Sequence, residues 1–447
     1  MHQNNQPFRK QPLWFRSLNS LWKSSYPIGT RIKLDKDDLI KSARKITGLI
    51  DLGKDFHDEP LDRLLRSVNE EARLHPFGRF ITKQRFVNLL TIRLRAEYFF
   101  NRYPGILDQQ LYPAWIIIGL QRTGTTKLQR LLATDPDHRV IPSWEVINPV
   151  PMDLEYFEKL QSRQPAVGSQ QSVVSSRQKL SSIQHPASAI QYPLPNDKRI
   201  KVAKTSVAAL KLMSPDFFAI HPIEIFEPEE DILLLDISFM STTPEAMMNV
   251  PTYAQWLEKT DQSSAYAYMV KLLKFMQFMK PAKRWVLKTP HHLEFPYLIE
   301  KHFNEVHFLW PHRSIYESVP SFLSMVTYNQ MIFSDSVDTR RIAGHWVRKT
   351  GYMLTKALDY RAKGDNNAKF IDIRYQDLVK DSVNELSRIY KINGGLTSDH
   401  MNLIRAHEQE HPHRKYGVHQ YSLADFGLTE SDIDMHSRHY QDFLVKL

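Results

Sequence analysis

Two hydrophobic patterns follow one another along the chain, and they predict different elements. From Asp37 to about Tyr103, apolar residues recur at three- and four-residue intervals, the spacing of helices that bury one face. After Pro113 the pattern changes to short continuous apolar runs between helical stretches, at positions 115–118, 284–288, 306–310 and 369–373. Such runs predict buried strands, and their alternation with helices predicts an α/β fold with a parallel sheet.

These patterns divide the chain into three parts. Residues 1–34 form a basic N-terminal segment, residues 35–112 a helical N-terminal region, and residues 113–447 an α/β domain. Within that domain, positions of about 161–196 are rich in Ser and Gln and contain no acidic residue, which is typical of a polar insertion. This insertion is either a lid over a binding site or a solvated loop.

Composition narrows the function only slightly. Lys and Arg total 59 against 49 Asp and Glu, so the net charge of +10 suits an anionic ligand, an acidic acceptor or a membrane surface. The cations are spread along the chain and no nucleic-acid-binding module is recognisable, so we expect no nucleic-acid partner. The chain has no Cys, which excludes disulfides and thiolate metal sites. No apolar run is long enough to cross a bilayer, and we expect a cytoplasmic protein.

The N-terminal segment contains six Lys and Arg and no Asp or Glu. Trp14, Leu18, Leu21 and Trp22 have helical spacing, which predicts an amphipathic helix. Such a helix either docks on the body of the protein, the favoured interpretation, or makes a peripheral contact with an anionic membrane.

The most informative segment joins the first apolar run to an amphipathic helix that continues to about Ala133. Between them, Gly119 and Gly124 have the spacing of a P-loop, in which backbone N–H groups and the start of the following helix surround a phosphate. A nucleotide hydrolase would have a lysine where this chain has Thr125. The loop therefore predicts a nucleotide with a single 5′-phosphate rather than a triphosphate.

A second phosphate-binding element follows the run at 306–310. Arg313 stands just after this predicted strand, and Ser321 lies eight residues further on. A guanidinium binds phosphate through two parallel charged hydrogen bonds, and a serine two helical turns later adds a neutral hydrogen-bond donor. Because both elements must meet at one ligand, the chain between them belongs to the same catalytic unit.

The loop and this Arg–Ser pair resemble the donor site of sulfotransferases that use 3′-phosphoadenosine 5′-phosphosulfate (PAPS), in particular a broad, mostly bacterial branch. The resemblance implies a P-loop-type three-layer α/β/α fold and no metal. It implies that Arg313 and Ser321 hold the 3′-phosphate and that Tyr375, after the last strand, contacts the adenine side. A basic segment near Arg414 resembles the part that closes over the 3′-phosphate. The residues implied for the 5′-phosphosulfate are Arg122, Thr123, Gly124, Thr125 and Thr126.

Sulfuryl transfer also needs a base for the acceptor proton and a cation for the departing oxygen. Lys288 resembles the family's lysine for the departing oxygen. For the base, Glu145 resembles the glutamate of the protein-tyrosine branch, whereas His291 or His292 resembles the histidine of the cytosolic enzymes. Pro290 interrupts that second motif. His221 and the acidic run 229–231 either border the acceptor site or begin a helix.

We therefore predict a sulfotransferase that moves a sulfuryl group from PAPS to a hydroxyl or amine of a small-molecule, glycan or lipid acceptor. The helical stretch from Tyr253 to Met279, rich in Met and aromatic residues, either lines an apolar acceptor pocket or is plain core. Two alternatives remain: a P-loop kinase-like enzyme that uses Mg²⁺ and ATP, and a nucleotide-binding relative without catalysis. The sequence leaves the oligomeric state open.

Overall fold

The computed structural model describes residues 8, 11–25, 32–162, 192–411 and 421–447. At its centre lies a five-stranded parallel sheet with the strand order β2-β3-β1-β4-β5. Its strands are β1 (Ala114–Ile117), β2 (His138–Arg139), β3 (Arg284–Lys288), β4 (Val306–His312) and β5 (Phe370–Arg374). The carboxyl ends of β1, β3 and β4 therefore meet at one edge, where parallel sheets bind their ligands.

Helices surround the sheet and form the N-terminal region. Those before the sheet are α1 (Leu13–Ser25), α2 (Lys36–Thr47), α3 (Asp58–Glu70) and α4 (Pro76–Arg102). Those between β1 and β3 are α5 (Thr125–Leu132), α6 (Ser143–Ile147), α7 (Leu154–Ser162), α8 (Lys198–Met213), α9 (Pro215–Ile220), α10 (Ile232–Asp236), α11 (Thr243–Met247), α12 (Pro251–Lys259) and α13 (Ser263–Met279). The remainder are α14 (Pro296–His302), α15 (Ile315–Met331), α16 (Thr339–Arg361), α17 (Tyr375–Lys380), α18 (Ser382–Tyr390), α19 (Ser398–Glu410) and α20 (Glu430–Leu444).

The central strand β1 separates two apolar cores. Trp115 and Ile117 pack with residues of α5, α18 and α19, whereas Ala114 and Ile116 point into the larger core on the other face. Successive side chains of a strand point to opposite faces, so a strand covered on both sides must be apolar throughout. The predicted α/β class with a parallel sheet and helices on both faces is confirmed.

The strand predictions differ from the structure in a few places. The run at 306–310 continues to His312, because β4 pairs with β5 through Pro311 and His312. The short strand β2 has no apolar run and was missed; it carries His138 and Arg139. The stretch from Tyr253 forms α12 and α13, and Phe275 and Met276 in α13 lie fully inside the main core. That placement fits the plain-core alternative for this stretch.

The N-terminal helix α1 docks on the body of the protein. Phe15 is buried and its ring contacts that of Phe77 with centroids 5.3 Å apart, while Trp22 packs on the same ring at 6.2 Å. Leu13 and Leu21 remain exposed, and Lys23 forms an ion pair with Asp335 at 2.5 Å. Membrane contact through this segment stays a prediction. None of the described helices is both long and apolar enough to cross a bilayer.

Two glycines of α16 give a matched test of the packing between α16 and α20. A Cβ on Gly351 would lie 2.0 Å from the carbonyl oxygen of His436, whereas a Cβ on Gly344 would meet nothing within 4 Å. We expect Gly351→Ala to lower the free energy of unfolding by about 2–3 kcal/mol through overpacking. Gly344→Ala should raise it by about 0.5–1 kcal/mol, because alanine favours the helix. Urea unfolding of both variants measures the difference, and equal stabilities would contradict this close approach.

Candidate active site

The loop between β1 and α5 has the backbone conformation of an anion cradle. Arg122 has φ +69° and Gly124 has φ +93°, so two residues adopt the left-handed conformation just before α5 begins at Thr125. A Cβ on Gly124 would also come within 2.8 Å of the Tyr375 ring, so glycine is required here on both grounds. The N–H groups at the start of the eight-residue helix α5 are thereby left for an anion.

Four of the predicted donor-site residues meet at this loop, although they come from separate elements. The Nε of Arg122 donates to Oγ of Ser321 at 3.1 Å, and Nη1 of Arg313 donates to the carbonyl oxygen of Arg122 at 3.1 Å. The Arg313 guanidinium lies 4.5 Å from the centroid of the Tyr375 ring. The loop, the end of β4, the middle of α15 and the start of α17 therefore form one site.

This site carries positive charge that carboxylates compensate only in part. Enclosure by the surrounding elements, together with the charge of Arg313, lowers the pKa of Arg122. Within the described parts of the chain, Arg122 forms no ion pair with a carboxylate, and Arg313 pairs only with the exposed Glu317 at 2.7 Å. Two guanidinium groups at a helix N-terminus make this region attractive to a ligand with more than one negative charge.

The threonines of the loop have different roles. Thr123 is buried and its hydroxyl donates to the carbonyl oxygen of Leu120 at 2.7 Å, so its side chain shapes the loop from inside. Thr125 is also buried, whereas Thr126 is exposed. Arg414 and most of the predicted insertion at 161–196 lie outside the described residues.

Lys288 lies at the carboxyl end of β3, next to Ile117 of β1. Its side chain is only 1% exposed, and its Nζ donates to Oε1 of Glu230 at 3.0 Å. Its backbone N–H donates to Oδ1 of Asp231 at 2.8 Å. The register of the two strands thus places the Lys288 ammonium group one strand away from the loop between β1 and α5 (the phosphate loop).

The predicted base Glu145 lies in a buried ion pair. Its side chain is 0% exposed, and its Oε1 accepts a hydrogen bond from Nη2 of Arg139 at 2.5 Å and another from the Tyr192 hydroxyl. The ring of Trp144 packs against Tyr192, with centroids 5.6 Å apart. In this arrangement Glu145 neutralises Arg139 and does not reach the surface.

The two histidines after β3 are both buried but differ in their partners. Nε2 of His292 lies 2.7 Å from Oδ2 of Asp231, and its Nδ1 lies 2.8 Å from the Tyr266 hydroxyl, so both ring nitrogens are occupied. His291 has no partner for Nε2 among the described residues. Burial and the neighbouring His292 and Lys349 hold the pKa of His291 well below its usual range, so the ring is neutral.

A further segment, residues 220–231, covers the same edge of the sheet. Nη1 of Arg122 donates to the carbonyl oxygen of Ile220 at 3.1 Å, and the side-chain amide of Gln129 in α5 donates to the carbonyl oxygen of Glu229 at 3.2 Å. Nε2 of His221 lies 3.8 Å from Oε2 of Glu229. From the sequence, His221 and the acidic run 229–231 either border the acceptor site or begin a helix; no motif predicts the contacts of this segment with the phosphate loop.

Comparison with known proteins identifies the group to which these elements belong. The model of the sulfotransferase family matches residues 113–397, from the residue before β1 to the residue before α19. The chain belongs to the sulfotransferase family. No curated protein matches it significantly in sequence.

Solved sulfotransferase structures share the architecture. Sulfotransferase STF1 from Mycobacterium tuberculosis is 25% identical, with a TM-score of 0.71 over 91% of this chain and 99% of that one. Sulfotransferase STF9 from Mycobacterium avium is 23% identical, with a TM-score of 0.71 over 94% and 98% of the two chains. This sulfotransferase is therefore a transferase with a sulfuryl donor as co-substrate and a small-molecule acceptor.

Proposed function

We propose that this sulfotransferase uses PAPS as its donor and transfers the sulfuryl group to a hydroxyl or amine of the acceptor. The observation that carries the proposal is the meeting of Arg122, Arg313, Ser321 and Tyr375 at the start of α5. A nucleotide with phosphates on both its 5′ and 3′ positions would engage two guanidinium groups that have little acidic compensation. A mononucleotide would supply a phosphate to only one of them.

In this proposal, different residues of the loop and of the neighbouring elements bind different parts of the donor. Arg122, the backbone of residues 123–124 and the first residues of α5, Thr125 and Thr126, hold the 5′-phosphosulfate. Arg313 and Ser321 hold the 3′-phosphate. The Tyr375 ring borders the adenine side, as its contact with Arg313 supports. The same donor site would serve a small metabolite, a glycan or a lipid acceptor.

Lys288 is the proposed cation for the departing bridging oxygen. Its Nζ is buried at the end of the strand beside β1, where a charge acts strongly because little water screens it. Glu145 and His291 remain the base candidates from the sequence. Each would have to leave its buried position to touch an acceptor, and the low pKa of His291 makes it a weak base.

Calorimetric titration of the purified protein with 3′-phosphoadenosine 5′-phosphate tests the donor assignment, with Mg²⁺ and ATP as the comparison ligand. We expect micromolar binding of the bisphosphate and much weaker binding of ATP. Tighter binding of ATP would overturn the proposal in favour of a kinase-like enzyme.

A further inference from the structure

We propose that His221, positioned by Glu229, is the general base that removes the acceptor proton. The inference rests on the proposed sulfuryl transfer from PAPS and names a catalytic residue for it. The donor site and the role of Lys288 stay as proposed above. The base then lies in the segment of residues 220–231, which covers the phosphate loop.

The first support is position. His221 directly follows Ile220, whose carbonyl oxygen accepts a hydrogen bond from Nη1 of Arg122 at 3.1 Å. Glu229 is tied to α5, the helix that begins at the phosphate loop, through the 3.2 Å bond from Gln129. The next residue, Glu230, accepts from Nζ of Lys288. The His221–Glu229 pair is thus attached to the proposed 5′-phosphosulfate site on one side and to the proposed leaving-group cation on the other.

The second support is the charge of the pair. Nε2 of His221 lies 3.8 Å from Oε2 of Glu229, too far for a hydrogen bond but close enough for the carboxylate charge to act on the ring. Burial alone would raise the pKa of Glu229, but His221, Lys288 and the backbone N–H of Glu230 hold it below its usual value, so the carboxylate is charged. A charged carboxylate beside an imidazole orients the ring and stabilises the imidazolium that forms during proton transfer.

The third support is access. The side chain of His221 is 30% exposed, whereas Glu145 and His291 are buried. No described residue forms a hydrogen bond with Nδ1 of His221, so this nitrogen is open to an acceptor. A base must come within hydrogen-bond reach of the acceptor proton, and of these three side chains His221 is the one that solvent and a bound acceptor can reach.

The proposed step forms one bond from oxygen to sulfur and breaks another. The acceptor O–H proton moves to Nδ1 of His221 while the acceptor oxygen forms a bond to sulfur. The bond between sulfur and the bridging oxygen of PAPS breaks, and its electron pair stays on the 5′-phosphate of the nucleotide. The products are the sulfate ester, 3′-phosphoadenosine 5′-phosphate and a protonated His221, which returns its proton to solvent.

The test measures release of sulfate from radiolabelled PAPS, with water as the acceptor, because water needs no identified substrate. We expect His221→Ala to lower kcat by roughly 10²-fold, at the lower end of what a general base contributes. Its affinity for 3′-phosphoadenosine 5′-phosphate should stay at the wild-type value. Imidazole added to the buffer should restore part of the His221→Ala rate, which a merely structural role would not allow.

Glu229→Gln tests the positioning role through the split between kcat and KM. Glu229 is the carboxylate that the His221 ring approaches, at 3.8 Å. Loss of its charge should lower kcat and leave the KM for PAPS unchanged, because the ring loses the group that orients it and stabilises its protonated form. His345→Ala is the matched control, since it removes another partly exposed histidine paired with a glutamate, Glu245, at 2.8 Å. Its rate should equal that of the wild type.

The outcomes separate this inference from the donor assignment. Failure of the wild type to bind 3′-phosphoadenosine 5′-phosphate would overturn the proposed function. Binding without sulfate release would indicate a non-catalytic relative and would overturn the base assignment alone. Sulfate release by His221→Ala at the wild-type rate and with the wild-type pH profile would also overturn it.

Discussion

Replacing Lys288 with methionine should lower kcat for sulfuryl transfer by roughly 10²–10³-fold, the usual cost of removing one group that stabilises developing charge. The ammonium group lies at the end of β3, beside the strand that leads into the phosphate loop. Methionine keeps most of the side-chain volume, so the surrounding core should hold. Single-turnover kinetics with PAPS measures the effect.

The same variant should also bind 3′-phosphoadenosine 5′-phosphate more weakly than the wild type, because that product carries the departing oxygen as a charged oxygen of its 5′-phosphate. Glu230→Gln is the control: it removes the charge that Lys288 contacts at 3.0 Å but keeps the ammonium group. Its kcat should stay within about threefold of the wild type. If Lys288→Met reacted as fast as the wild type, the assignment of Lys288 to the departing oxygen would be wrong.

Replacing Arg313 with alanine should abolish measurable donor binding. Charged hydrogen bonds contribute about 1.5–3 kcal/mol each, so loss of a forked contact predicts a roughly 10²–10³-fold or larger increase in Kd. Arg313 also donates to the carbonyl oxygen of Arg122 at 3.1 Å. Its removal therefore takes away a support of the phosphate loop as well as a ligand group.

Two variants separate these contributions. Arg313→Lys keeps the charge but loses the fork, and it should recover only part of the affinity. Glu317→Gln removes the exposed carboxylate that competes for the guanidinium at 2.7 Å, and it should bind the bisphosphate at least as tightly as the wild type. Calorimetric titration measures all three. Wild-type affinity of Arg313→Ala would contradict the 3′-phosphate assignment.

The proximity of the residues predicted for the donor site follows from the sequence, because it depends on backbone geometry, whereas their donor-binding roles stay a prediction. Glycine at position 124 and an arginine after a strand are local signals, and the parallel order of the strands brings them together. Their contacts, such as Arg122 with Ser321, follow from that order. The strand β2 has only two residues and no apolar run, so no periodicity could reveal it.

The surroundings of the proposed bases are less predictable because they depend on long-range polar contacts. Glu145 has a suggestive position after the loop helix, yet its pairing with Arg139 and Tyr192 joins parts of the chain that no spacing connects. The pairing of His221 with Glu229 is equally invisible in the sequence. Which carboxylate is buried and which is accessible is decided by tertiary packing.

The helix α4 lies outside the segment that the family model recognises, yet 15 of its 27 residues are buried. Phe86 and Leu90 share one core with Ile116 of β1 and Phe308 of β4. Each such side chain contributes about 1.5–3 kcal/mol when buried. The boundary of the segment that the family model recognises therefore does not coincide with a boundary in the core, and we expect the motif-bearing part and the N-terminal helices to unfold as one unit.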